Sequence, residues 1–161
     1  MIKTKFQKAK NLGLLSLMVL FVSLSACTAM KNHSNIKTVT VKLSGANEVP
    51  ANNSTGSGIA VIAYKTDMKI ITYNISWTLG SSTATTTNMH FHGADNGSTT
   101  TSSPVQIGIT GFSKGSSGTI SGMTVTLTDA QAAQLLAGKW YVNIHSSTVP
   151  GGEIRGNIIF P

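Results

Sequence analysis

From Val39 onward the chain alternates between apolar and polar positions. Val39, Val41 and Leu43 are separated by Thr40 and Lys42; Ile59, Val61 and Ala63 form a second run; Ile71, Tyr73, Ile75 and Trp77 are separated by Thr72, Asn74 and Ser76. Met89 and Phe91 alternate with His90 and His92, and Val105, Ile107 and Ile109 follow. Ile120, Met123, Val125 and Leu127 come next, with Gly122 suggesting a bulge or kink. Trp140, Val142 and Ile144 alternate with Tyr141, Asn143 and His145, and Ile154, Ile158 and Phe160 close the chain. Period-two alternation predicts half-buried strands, and clusters of Gly, Asn and Ser divide them into about eight. One stretch reads as helix, from Thr128 to Gly138, with Thr128 or Asp129 as N-cap and Gly138 as the stop. The predicted fold class is all-β: an antiparallel Greek-key β-sandwich of about eight strands with one short helix.

Phase matters most in the last two strands. If Trp140, Val142 and Ile144 share the core face, Asn143 and His145 share the other. By the same rule Glu153, Arg155 and Asn157 lie opposite Ile154 and Ile158. A hairpin across the loop 146–152 places His145 nearly opposite Glu153, and gathers Asn143, His145, Glu153 and Arg155. A register slip of one residue would destroy this grouping.

The N-terminus follows a different pattern. Lys3, Lys5, Lys8 and Lys10 precede an apolar run from Leu12 to Leu24, long enough for a signal peptide and short for a membrane span. Leu24-Ser25-Ala26-Cys27 then brings in the only cysteine. This resembles a bacterial lipobox, which implies cleavage before Cys27, diacylation of its thiol and acylation of the new amino terminus. The alternatives are a plain secretory signal and an uncleaved anchor. Lipidation explains a lone cysteine in an oxidising compartment, and several acyl chains anchor stably where one holds only marginally. Residues 1–26 are therefore expected to be a lipoprotein signal peptide, 27–36 a tether containing His33, and 37–161 one domain. The expected location is the extracytoplasmic side of the cell envelope; Thr28 after the cysteine points to the outer membrane if the cell is Gram-negative.

Processing changes the charge. Of twelve basic residues four leave with the signal, so eight face five acidic residues and the formal charge drops from +7 to +3. No Lys/Arg cluster or basic helix remains, which excludes a nucleic-acid partner. No disulfide can form, so stability rests on strand pairing and an apolar core.

Three of the four histidines sit on predicted strands. His90 and His92, two apart, point to one face, and His145 is in phase with them. Three neutral imidazoles suit copper or zinc and leave a coordination position open. The alternative is that they hydrogen-bond loop carbonyls and each other at a sheet edge. Asn143, Glu153 and Arg155 are candidates for orienting a histidine or facing an anion, with a hydrogen-bonded Glu153–Arg155 pair fixing the last hairpin as the alternative. Glu48 reads as an acceptor at a strand end, with Pro50 stopping the strand. Trp77, Trp140, Tyr73 and Tyr141 read as core or rim, with no sugar-binding stripe.

Three segments carry a resemblance. Leu43-Ser44-Gly45-Ala46-Asn47-Glu48-Val49-Pro50, His90-Phe91-His92-Gly93, and Gly138-Lys139-Trp140-Tyr141-Val142-Asn143-Ile144-His145 followed by Pro150-Gly151-Gly152-Glu153-Ile154-Arg155-Gly156 resemble the CHRD (chordin-type) domain from about Val39 to Phe160. The chain departs in having a single copy and a Ser/Thr-rich segment from Ser98 to Ser103. Animal members bind growth factors; for a bacterial lipoprotein the resemblance implies a fold and a surface location more than an activity.

His90-Phe91-His92-Gly93-Ala94-Asp95-Asn96-Gly97 is also similar to the copper-ligand strand of copper–zinc superoxide dismutases. That likeness implies a late histidine ligand, at His145, and an anion-guiding arginine, at Arg155. No histidine lies between His92 and His145, so the bridging and zinc ligands are missing.

No nucleophile–base–acid set, carboxylate pair or phosphate loop stands out. The expected function is a lipid-anchored, non-enzymatic module that binds a protein or polysaccharide and holds copper or zinc. The alternative is an envelope copper metalloenzyme of superoxide-dismutase type. Cys27→Ala is expected to release the protein from membranes, scored by fractionation; a variant that stays bound contradicts the lipobox reading.

Overall fold

The computed structural model describes residues 35–161. The expected signal peptide over residues 1–26, with Cys27, Thr28 and His33, lies outside the described residues. The elements in order are β1 (Ile36–Ser44), a 3-10 turn (Gly45–Asn47), β2 (Ser57–Lys65), β3 (Ile70–Thr78), β4 (Thr86–Gly93), β5 (Val105–Gly108), β6 (Ser117–Met123), α1 (Asp129–Leu136), β7 (Trp140–Ser146) and β8 (Ile154–Ile158). This is the all-β, one-helix content that the alternation predicts. Thr128 caps α1 with a full capping box, its hydroxyl accepting from Gln131 N–H while the Gln131 side chain accepts from Thr128 N–H. Gly138, at φ +70°, follows the helix.

The strands form one continuous antiparallel sheet, in the order β5-β4-β7-β8-β1-β2-β3-β6. The two layers are halves of this one ladder, and the sheet curls so that they face each other. Four strands separate β3 from β4 in that order, yet Tyr73 and Phe91 meet edge to face with ring centroids 5.5 Å apart. Trp77 Nε1 also donates to Thr86 Oγ1 at 2.9 Å. Between the halves lie Leu43, Ile62, Ile75, Phe91, Trp140, Val142 and Ile158, all buried. Burial of these side chains supplies the main drive for closure.

The structure corrects the phase of β2. Ala60, Ile62 and Tyr64 are buried, whereas Ile59 and Val61 are 47% and 41% exposed. The reason is register. Val39 faces Ile62, Val41 faces Ala60 and Leu43 faces Gly58, and directly opposed residues share a face. With Val41 and Leu43 inside, β2 has to turn its shorter apolar set inward. The run after Ile120 differs too. β6 pairs regularly with β3 through Met123; Gly122 faces Tyr73, whose hydroxyl occupies the space a Cβ would need. Met123 and Val125 are exposed and only Leu127 is buried. The irregularities fall in β4 instead, between Phe91 and His92 and between Thr86 and Asn88. Pro50 does not stop β1, which ends at Ser44.

Ile62→Ala is expected to lower unfolding free energy by about 2–5 kcal/mol, and Val61→Ala to change it by no more than about 0.5 kcal/mol. Chemical denaturation distinguishes them; the reverse order contradicts the register.

Candidate metal site on the outer face

β4, β7 and β8 lie side by side and turn one row of polar residues away from the core. Across them His90 faces Asn143, which faces Arg155; in the next row on the same face His92 faces Tyr141, which faces Asn157. The hairpin register runs to Ile144 opposite Ile154, where Glu153 N–H donates to Ile144 O at 2.8 Å. What the alternation does not predict is that this face is covered. His92, Tyr141, Asn143, Glu153 and Arg155 are all buried.

Arg155 holds the cover. Its guanidinium lies 3.5 Å over the Tyr141 ring. Nη1 donates to Thr101 O at 3.0 Å; Nη2 donates to Ser98 O, Thr99 O and Asn157 Oδ1 at 3.2, 3.5 and 3.0 Å; and Nε donates to Asn157 Oδ1 at 3.2 Å. Burial pushes its pKa down, opposed by Tyr141 and by the charge of Glu48. The Ser/Thr-rich segment from Ser98 to Ser103 is thus the strap that this arginine binds. Arg155 therefore does not face an incoming anion, and it forms no pair with Glu153. Glu153 reaches other loops: Oε1 accepts from Ser54 Oγ at 2.7 Å and Gly80 N at 2.6 Å. Burial alone would raise its pKa; donors at Gly80, Ser146, Ser54 and Thr148 outweigh it and hold the carboxyl below its ordinary value. None of these contacts touches a histidine.

The three predicted histidines do converge, with one nitrogen of each ring within 4.8 Å of the others. His145 Nδ1 lies 2.8 Å from Pro150 O. A carbonyl only accepts, so Nδ1 carries the proton and Nε2 presents a lone pair. That lone pair faces His90 Nδ1 at 3.3 Å. His92 Nδ1 is fixed in the same way, 2.8 Å from Ser103 O, and its ring stacks on Tyr141 at 4.6 Å and 5°. Burial lowers the pKa of His90, helped by His145 and His92. Burial also lowers that of His92, against hydrogen bonds from Ser103 and Asn143. Both rings are held toward the neutral form that a metal requires.

Asn143 joins His92 to a residue that sequence reasoning had placed elsewhere. Asn143 Oδ1 lies 3.0 Å from His92 Nε2, and Nδ2 lies 3.4 Å from Glu48 Oε1. Two proton arrangements satisfy this chain. In one, a protonated His92 donates to Oδ1 and Nδ2 donates to ionised Glu48. In the other, the amide turns over, His92 Nε2 accepts from the amide NH2, and a protonated Glu48 donates to the amide oxygen. Both hold the same number of protons. Burial raises the Glu48 pKa, against the Asn143 bond and the nearby Arg155 charge, and lowers that of His92; both shifts run in the direction of the second. Glu48 follows the 3-10 turn, off any strand, in Asn-Glu-Val-Pro. The readable signal was an acid among only five in the chain, placed in a motif segment. Gly152, at φ +128°, keeps this contact open: a Cβ there would stand 2.6 Å from Glu48 Oε1 and 2.9 Å from Asn143 Nδ2.

The sequence model of the CHRD domain matches residues 39–158, nearly all of the described fold. The chain belongs to the CHRD domain family. No curated protein and no solved structure matches it. In this CHRD domain the three motif segments meet in one place: Glu48 from the first, His90 and His92 from the second, and Asn143, His145 and Arg155 from the third.

Arg155→Met is expected to lower the stability of the CHRD domain by about 3 kcal/mol or more, because it leaves the strap carbonyls under cover without donors. Limited proteolysis should then cut within residues 98–103. Arg155→Lys should rescue only in part, since one ammonium cannot span these oxygens and stack as well. Wild-type stability and protease resistance in Arg155→Met would contradict the clamp.

Proposed function

We propose that the chain is a lipid-anchored, extracytoplasmic binding module that holds one copper or zinc ion at His90, His92 and His145 and catalyses no reaction. The observation that carries this is the pair of backbone carbonyls, Pro150 O and Ser103 O, fixing two of the three rings with Nδ1 protonated. Such second partners orient metal-binding histidines and raise their basicity. The His90–His145 nitrogen separation of 3.3 Å matches the edge of a tetrahedron with metal–nitrogen bonds of about 2.0–2.1 Å. His92 has to close in and release Asn143 to complete the set. Neutral imidazoles, without thiolate or carboxylate, suit zinc and copper.

Arg155, buried and committed to the strap, lends no support to a superoxide-dismutase role in which it would attract the anion. The bound partner, protein or polysaccharide, is left to the surface around the strap.

Protein isolated from its own membranes is expected to carry about one copper or zinc per chain, measured by elemental analysis, and His90→Ala/His92→Ala to carry none. Because burial depresses the His90 and His92 pKa values, proton competition should set in below the ordinary histidine value of 6.5. Failure to take up either metal at saturation would overturn the site and leave a metal-free binding module.

A further inference from the structure

A second cluster lies at the opposite end of the sheet from the histidines. There Ile36 faces Lys65, which faces Ile70. The turn from Thr66 to Lys69 projects from this end and is tied to it by Thr66 N–H on Asn35 O at 2.7 Å. The chain leaving β6 runs alongside: Thr124 N–H reaches Ile71 O at 2.9 Å and Leu127 N–H reaches Lys69 O at 2.8 Å. This topology collects Met68, Met123 and Val125, exposed by 51%, 68% and 76%, beside Ile36 at 47%. Of the nine exposed large hydrophobic residues among those described, four therefore belong to one end. Exposed apolar side chains gathered at one end of a domain are a feature of surfaces that meet a partner or a membrane. Lys65 lies between Ile36 and Ile70 in the same row, Lys37 follows Ile36 in β1, Asp67 lies in the turn, and Lys69 pairs with Asp129.

Position in the chain indicates the occupant. Eight residues, Thr28–Asn35, separate Cys27 from Ile36, and eight residues reach at most about 30 Å when fully extended. β1 begins at Ile36, so the chain from an acylated Cys27 enters the domain at this end and brings it nearest the bilayer whenever the tether is not fully extended. Ser44, in the row of Arg155, Asn143 and His90, lies eight strand steps from Ile36, about 26 Å.

We infer that this end is a lipid-contacting surface. Met68, Met123 and Val125 enter the interfacial layer of the membrane that carries the anchor, and Lys37 and Lys65 extend their ammonium groups to the headgroups. The inference rests on the lipid-anchor reading of Cys27. Burial of small apolar protrusions in the interface adds hydrophobic free energy, and lysine stems lie along apolar surface while their charged ends stay in water. The domain then stands upright, with the histidines held away from the bilayer.

The test uses the full lipidated chain in vesicles whose acyl chains carry a quencher. With Cys27 acylated, Val125→Cys provides the one free thiol for a fluorophore. Gly151→Cys provides a matched position beside Pro150, where a Cβ meets nothing within 4 Å. Quenching several-fold stronger at 125 than at 151 is expected. Equal quenching at the two positions overturns the inference while leaving the anchor intact. So does a label at 125 shielded from an aqueous quencher yet untouched by the lipid one, which would mean that a second copy covers the patch. If the chain with intact Cys27 does not associate with membranes at all, the anchor reading and this inference fall together.

Discussion

A guanidinium taken out of water needs oxygens, and most of the outer face is arranged around that need. Arg155 is fully buried, and its donors are met by carbonyls of Ser98, Thr99 and Thr101 and by the Asn157 side chain. An unpaired buried charge is among the most costly features a fold can carry, so the strap has to remain over it. The same strap delivers Ser103 O to His92, and Ser102 Oγ ties it to Val49 O in the segment that carries Glu48. One cation thus sets the position of two loops and covers β7 and β8, which would otherwise turn a polar face to solvent.

Cover changes the chemistry of what lies beneath. On an open face His90, His92 and Asn143 would be solvated and would rotate freely. Under the strap His92 and Asn143 have specific partners, and each partner constrains a proton. Pro150 O assigns the His145 proton to Nδ1, Ser103 O does the same for His92, and Glu48 and His92 share one proton through Asn143. The result is two nitrogens already at a metal's spacing and a third held back by an amide. Such a site would hold an ion by preorganisation of its nearest pair, with Asn143 deciding whether the third ring joins.

Much of this was legible in the chain. Period two in the last strands gave the hairpin register, because Trp140, Val142 and Ile144 leave no other choice of inner face. It placed His90, His92 and His145 on a shared outer face for the same reason. Periodicity failed at Ile59 and Val61, where both faces of a strand are apolar enough and only the partner strand decides. It also could not show that a Ser/Thr-rich loop covers Arg155, since the contacts go to backbone carbonyls that any sequence possesses. Glu48 was misplaced because a 3-10 turn, rather than Pro50, ends the first strand, and the partner of Glu48 lies ninety-five residues away. The Glu153–Arg155 pair suggested by spacing does not form, because each side chain finds its partners in a different loop.

The most direct test of this account is a long-range nitrogen–proton NMR spectrum of the histidine rings in the metal-free protein near neutral pH. The account predicts that the neutral form of both His145 and His92 holds its proton on Nδ1, leaving Nε2 bare. A proton on Nε2 of His145, or rapid exchange between tautomers at either ring, would contradict it: the carbonyls of Pro150 and Ser103 would then not be fixing the rings, and the cluster would lose its claim to be a prepared metal site.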